Sequence, residues 1–337
     1  MRILVVGDSY YRSDAFRSGF ATLESEHLIE YLDVEADEAF TPRDESERRL
    51  LEYEGNPDVL AGALSNHDVL VVHGAPVSQA VLTASPNLQL VCCARGGPVN
   101  VDVESATRLG IAIATTPGKN APAVADLTIA LAVMLVRAIG PAQAYLRNGG
   151  RVLSTFDGSR FFGSELEGLS MGVVGFGRVG SEVGTRARSM GMSVGAFDPF
   201  VEPQVMEAAG VDSMELEELV QRADIVSLHT RHTTESQGMV GAKLLSSFKP
   251  GSFLINTARE TIVDERAVLA SLRSGHLRGV AVDVFESNGP IAEAIRTGED
   301  RLIALPHIGG ATYQTLRRGA DLIAQHIIAF AADRKLI

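Results

Sequence analysis

The run Ser170-Met171-Gly172-Val173-Val174-Gly175-Phe176-Gly177-Arg178-Val179-Gly180 constrains this chain more than any other segment. A β-branched strand enters Gly-x-Gly-x-x-Gly and continues into a helical stretch. Gly175 permits a tight turn, and Gly177 lets the backbone approach a pyrophosphate. Gly180 lets helix and strand pack closely, leaving the amides around Arg178 and Val179 at a helix N-terminus to bind phosphate. An acid is due about 20 residues further on. Asp198 ends the next strand 18 residues after Gly180. A carboxylate there hydrogen-bonds an adenosine ribose diol and repels a 2′-phosphate, which favours NAD over NADP. FAD uses similar loops, usually near an N-terminus, whereas this one begins at residue 175.

Short β-branched runs alternate with helical patterns along the chain, the signature of parallel α/β architecture. At 337 residues, two domains are expected. The expected strands are 2–6, 69–73 and 90–93, then 170–174, 193–197, 225–228, 253–256, 279–284 and 302–304. Residues 33–56 are acidic and irregular and read as a surface excursion, with a helix start at Thr41-Pro42-Arg43-Asp44. Residues 120–148 form a helical run too apolar for a surface helix, suited to a domain crossover or a dimer interface. The last helix begins at Tyr313, and no strand follows it.

Composition excludes several classes. Thirty Lys and Arg against 42 acids give a net charge of -12, which argues against nucleic-acid binding and against anionic membranes. The longest apolar stretch, Leu127 to Val136, falls well short of the ~20 residues a bilayer requires. The two cysteines, Cys92 and Cys93, are neighbours on a strand and point to opposite faces, so they read as buried small hydrophobes in a reducing, cytoplasmic setting. The histidines show no metal-ligand spacing, and no metal is expected.

Further motifs are more specific than the glycine loop. They are Cys93-Ala94-Arg95-Gly96-Gly97-Pro98-Val99-Asn100-Val101-Asp102, Thr116-Pro117-Gly118-Lys119-Asn120, Leu228-His229-Thr230, Ile255-Asn256-Thr257-Ala258-Arg259, Val282-Asp283-Val284-Phe285 and Pro306-His307-Ile308-Gly309-Gly310. With them the chain, from about residue 69 onward, resembles the D-isomer-specific 2-hydroxyacid dehydrogenases. That family includes phosphoglycerate, glycerate, formate and phosphite dehydrogenases. The resemblance implies two Rossmann-like, doubly wound parallel-sheet domains, the NAD domain inserted into the substrate domain. Residues 1–118 and 311–337 would form the substrate domain and 119–310 the NAD domain, with a homodimer joined through the NAD domains. The implied reaction is hydride transfer between nicotinamide and C2 of a 2-hydroxy or 2-oxo acid. The alternatives are a formate- or phosphite-type dehydrogenase, and an NAD-sensing binding protein of the corepressor type.

Residue by residue, the resemblance makes Arg259 the group that orients and polarises the substrate, and His307 the acid–base group. Thr230, Ala258, Asp283, His307 and Gly309 would lie along the cofactor, and His73, Arg95, Gly96 and Gly97 along the substrate. Ser9, Tyr10 and Tyr11 follow the first strand on the same side. Arg95 stands where many members have a small residue. It is expected either to meet a second anionic group on the substrate or to form a salt bridge. One position departs from the family: Asn288 replaces the Glu that hydrogen-bonds the catalytic His. An amide oxygen can accept an imidazole N–H and orient His307 without adding charge. Glu286, two residues away, is the alternative partner.

Overall fold

The computed structural model describes residues 1–36 and 40–334. The chain forms two compact units, Met1–Lys119 with the chain from Thr312 onward, and Asn120–Ala311.

In the first unit the strands are β1 (Arg2–Gly7), β2 (Leu28–Asp33), β3 (Val69–Val72), β4 (Leu90–Cys93) and β5 (Ala112–Thr115). All pair in parallel, in the order β2-β1-β3-β4-β5. Strands β3 and β4 are buried on both faces, which is why they read as unbroken apolar runs. The edge strands β2 and β5 were not expected: each is partly exposed, and β2 mixes charge into its pattern as Leu-Ile-Glu-Tyr-Leu-Asp. One face of the sheet packs Leu4, Val6, Leu70, Val72 and Cys93. The other packs Ile3, Val5, Val69, Val71 and Cys92 against Ile323 and Ile327 of the final helix, Tyr313–Arg334. The two thiols therefore face opposite cores, and burial pushes Cys93 up to about 11.

Part of the expected surface excursion, 37–39, lies outside the described residues. Asp44 caps the short helix Glu45–Arg48 by accepting the Glu47 amide at 2.9 Å. Beyond it the chain stays at the surface, with Leu51 and Glu52 exposed, but is tied down by backbone hydrogen bonds. It lies as a strap across the C-terminal ends of the strands, where the Leu51 amide donates to the Val99 carbonyl (2.9 Å) and the Glu54 amide to the Gly74 carbonyl (3.0 Å).

The second unit holds β6 (Ser170–Val174), β7 (Ser193–Phe197), β8 (Asp212–Ser213), β9 (Ile225–Leu228), β10 (Ser252–Asn256), β11 (Leu277–Val282) and β12 (Leu302–Ala304). Their order is β12-β11-β10-β9-β6-β7-β8, all parallel. The direction of winding reverses between β6 and β9, and ligands of open α/β sheets bind at such a point. The apolar run 120–148 is two helices, Ala121–Val136 and Ile139–Arg147, bent by 65° at Ala138, whose φ is 49°. The first helix is buried along much of its length, with Leu131, Leu135 and Val136 packed beside Met171, Ile255 and Ala281 of the sheet. Among the described residues no single helix is long and apolar enough to cross a membrane.

Asn100, fully buried, ties the turns of the first unit together: its Nδ2 donates to the carbonyls of His73 (3.1 Å) and Ala75 (2.7 Å). Asn100→Ala orphans the Ala75 carbonyl and leaves the His73 carbonyl only the weak Cys93 thiol donor at 3.8 Å. It should lower unfolding stability in chemical denaturation by about 3 kcal/mol.

Candidate active site

The glycine loop of the second unit has the geometry a dinucleotide needs. Gly177 caps the N-terminus of helix Arg178–Ser189 with no side-chain hydrogen bond, and a Cβ added there would meet nothing within 4 Å. The space in front of this helix end, where orphan N–H groups gather, is open. Gly180 is the opposite case: a Cβ would lie 2.0 Å from the Gly175 carbonyl oxygen. Arg178 is exposed and Val179 half-buried in the first turn. Asp198 Oδ2 accepts the Phe176 amide (2.8 Å), and Oδ1 accepts the Phe200 amide (2.9 Å). Asp198 is thus both a turn residue and a brace for the glycine loop, and each oxygen keeps lone pairs for a ribose diol. A cavity of about 420 Å³ adjoins it, lined by residues that include Phe200, Val201 and Met214. Beside Gly175, the Thr230 hydroxyl is buried without a partner among the described residues. An open amide-lined cradle, a braced acid and an unsatisfied hydroxyl fit NAD.

Three adjacent strands lead to the candidate reactive groups. The register places Asn256, Val282 and Ala304 side by side at the ends of β10, β11 and β12. Arg259, Asp283 and His307 follow these ends. The buried Asp283 carboxylate accepts the Ile308 amide on Oδ1 (2.8 Å) and the Gly309 amide on Oδ2 (2.7 Å), and its carbonyl accepts the His307 amide (2.9 Å). Burial pushes its pKa up, against the pull of these amides and of His307. This clamp holds His307 at φ 56°, in the left-handed region that a non-glycine residue enters only when its surroundings impose it. Gly309 is required because a Cβ would meet Asp283 Oδ2 at 2.8 Å. The His307 side chain is exposed and makes no hydrogen bond among the described residues.

Arg259 is exposed too. Its Nη1 donates to the Ala258 carbonyl (2.7 Å), and no carboxylate pairs with it among the described residues. Asn256 shapes the turn, accepting the Ala258 amide (3.0 Å) and donating to the Arg259 carbonyl (2.9 Å).

Asn288 does not join His307. It is exposed and without a side-chain hydrogen bond among the described residues, and Glu286 likewise makes no bond to His307. The reason lies in Glu265, a buried carboxylate whose two oxygens accept the amides of Glu286 (2.7 Å) and Ile291 (3.0 Å), fixing the loop from the other side.

In the first unit the winding reverses between β1 and β3. His73 follows β3, and Asp8, which had no expected role, follows β1. His73 Nδ1 lies 2.8 Å from Asp8 Oδ2, and Asp8 also accepts the amides of Gly74 (2.6 Å), Tyr11 (2.7 Å) and Tyr10 (3.0 Å). Burial raises the Asp8 carboxyl, but His73 and the amides outweigh it and hold it below its usual range. Burial lowers His73 despite Asp8, with Lys119 and Arg95 adding to the fall. Lys119 also had no expected role. It is buried below the Tyr11 ring, donates to the Ala94 carbonyl, and is pushed down to about 8 by burial. The Gly96 and Gly97 amides have no partner among the described residues, and nothing would obstruct a Cβ at either. Arg95 is not free for a substrate anion. It forms the salt bridge, donating to the Glu52 carboxylate and to the Glu52 carbonyl (2.7 Å).

Comparison with known proteins places this geometry. Residues 129–309 match the family described as D-isomer specific 2-hydroxyacid dehydrogenase, NAD binding domain. The chain belongs to the D-isomer specific 2-hydroxyacid dehydrogenase family. It is 35% identical over 257 residues to a glyoxylate reductase of Thermococcus litoralis, covering 76% of this chain and 77% of the relative. It is 34% identical over 269 residues to the D-3-phosphoglycerate dehydrogenase of Bacillus subtilis, covering 80% of this chain and 50% of the relative. The chain spans about half the length of the phosphoglycerate dehydrogenases it matches. Among solved structures, the TT0316 protein of Thermus thermophilus superposes with a TM-score of 0.77 at 28% identity, covering 99% of this chain and 97% of that one. The second unit thus carries the family's NAD-binding domain, and the braced acid and open loop lie within it.

Two outcomes follow. The unmodified protein should bind NADH at least tenfold more tightly than NADPH in a fluorescence titration, and Asp198→Ala should narrow that gap. Asp283→Ala removes the clamp on Ile308 and Gly309, so it should lower kcat at least tenfold in steady-state assays.

Proposed function

We propose that this chain is an NAD-dependent oxidoreductase transferring a hydride between nicotinamide and C2 of a 2-hydroxy or 2-oxo acid. The observation that carries the reading is the state of Arg259 and His307. Both are exposed groups without an acidic partner among the described residues, on turns that follow strands of the sheet bearing the dinucleotide loop. When bound, NAD(H) supplies or accepts the hydride. In reduction, the planar Arg259 fork grips the substrate carboxylate and polarises the C2 carbonyl. His307 donates a proton to the carbonyl oxygen. In oxidation it withdraws the proton from the C2 hydroxyl. In the first unit, the unpaired Gly96 and Gly97 amides are backbone donors of the kind a carboxylate accepts. Positioning of His307 falls to Asp283 through the main chain rather than to Asn288.

In this reading residues 119–310 act as the NAD domain, and 1–118 with 311–337 as the substrate domain. A glyoxylate reductase and a D-3-phosphoglycerate dehydrogenase among the relatives support the reaction class. The buried, unpaired thiols Cys92 and Cys93 fit a reducing cytoplasmic setting. Homodimerisation is assigned to the second unit, where Leu146, Val152, Leu153, Phe156 and Phe162 expose apolar side chains along one stretch of chain.

NADH oxidation with a panel of 2-oxo acids tests the reading, and absence of turnover with all of them would refute it. Arg259→Lys should raise KM for the acid and lower kcat, together at least a hundredfold in kcat/KM, with NADH affinity within twofold of the parent. Leu153→Ser with Phe156→Ser should yield a monomer by light scattering where the parent is a dimer.

A further inference from the structure

The strap of the first unit has no part in hydride transfer, yet it is built against the substrate-binding turns. Three of its residues reach the loops that follow three different strands. Glu54 accepts the Ser9 amide (2.8 Å) and the Ser9 hydroxyl (2.6 Å) after β1, and its own amide donates to the Gly74 carbonyl after β3. Leu51 donates to Val99 and Glu52 pairs with Arg95, both after β4. Glu52 itself sits at φ 50°, a left-handed conformation costly for a residue with a side chain. Its carboxylate is therefore presented to Arg95 by a segment anchored on either side.

Beside this pair, His73 offers the opposite of an anion site. The Asp8 carboxylate, held by three amides, accepts a hydrogen bond from the Nδ1–H, so the neutral ring carries its lone pair on Nε2. Tyr10 stacks on the ring at 5.3 Å and Tyr11 meets it edge-on at 5.7 Å, which fixes its plane. Nε2 has no hydrogen bond among the described residues and is not among the buried orphan atoms, so on a side chain that is only 15% exposed it remains reachable at the reversal point of the sheet.

We propose that the strap and His73 together form a filter for the substrate tail: Glu52, seated on Arg95, excludes tails carrying a phosphate or second carboxylate, and the outward Nε2 of His73 selects tails that donate a hydrogen bond, as a hydroxyl does. The filter rests on the dehydrogenase reading above and adds to it the class of substrate, a short hydroxylated 2-oxo acid with an uncharged tail. An anionic tail has to displace a carboxylate that the strap tethers at high effective concentration. A hydroxyl tail displaces only water and satisfies a fixed acceptor. Lys119 is buried and donates to the Ala94 carbonyl, so it is committed to the backbone rather than to the tail.

The test is an initial-rate panel with NADH and four acids: glyoxylate without a tail, 2-oxobutyrate with an alkyl tail, hydroxypyruvate and phosphohydroxypyruvate. The parent should prefer hydroxypyruvate over 2-oxobutyrate and over phosphohydroxypyruvate by about tenfold in kcat/KM. Glu52→Gln should raise the ratio of phosphorylated to hydroxylated substrate about tenfold. His73→Phe, which keeps the stacking, should bring the ratio of hydroxyl to alkyl tail close to one. A parent that prefers the phosphorylated acid, or ratios unmoved by both variants, overturns the filter. Calorimetric titration with inorganic phosphate reads it without turnover: Glu52→Gln should bind about tenfold more tightly than the parent, and equal affinities overturn it. No reduction of any of the four acids refutes the dehydrogenase reading instead, and the phosphate titration still decides the filter.

Discussion

A buried carboxylate that accepts two consecutive backbone amides holds the reactive end of the second unit in place. Asp283 lies one residue past β11, between the neighbouring strands that lead to Arg259 and His307. Its bonds to Ile308 and Gly309 and the bond from the His307 amide turn the chain after β12 into one fixed bend. A left-handed conformation at His307 costs of order 1–3 kcal/mol and persists only if the surroundings over-determine it. Three hydrogen bonds to one residue meet that need. They leave the imidazole itself exposed and without a hydrogen bond among the described residues, as the acid–base role proposed for it requires.

The two units use the same device at their reversal points. In each sheet, winding to both sides of a central pair opens a crevice at the strand ends. In the second unit the glycine loop and Thr230 flank it, and in the first Asp8 and His73 do. Asp198 and Asp8 play parallel parts, each bracing a turn through backbone amides while keeping a polar function for a ligand or a ligand-facing side chain. The first unit adds a strap across its strand ends, and with it an internal carboxylate on Arg95.

How much of this was legible in the sequence depended on whether the governing interaction is local. The glycine loop was readable because close packing and open space leave no alternative to glycine at Gly180 and little reason for another residue at Gly177. The central strands were readable because burial on both faces leaves unbroken apolar runs. The edge strands β2 and β5 were not, since half-exposed strands resemble loops. Arg95 was readable as an unusual cation, but not its partner: Glu52 lies 43 residues away and reaches it only because the strap crosses the strand ends. Asp8 was missed for the same reason, being 65 residues from His73. Asn288 makes no hydrogen bond to His307, and its loop is held instead by Glu265, 21 residues upstream of Glu286, a partner no local pattern announces.

The function proposed for this chain is hydride transfer between nicotinamide C4 and C2 of a 2-oxo acid, with Arg259 and His307 as the residues that act on the acid. Reduction of a 2-oxo acid with NADH deuterated at the transferred C4 position tests it most directly, read by mass spectrometry of the product. The account predicts a 2-hydroxy acid carrying one deuterium on C2, formed by the parent protein and lost when His307 is replaced by alanine. A product without deuterium at C2, or undiminished labelling in the His307→Ala protein, would contradict it.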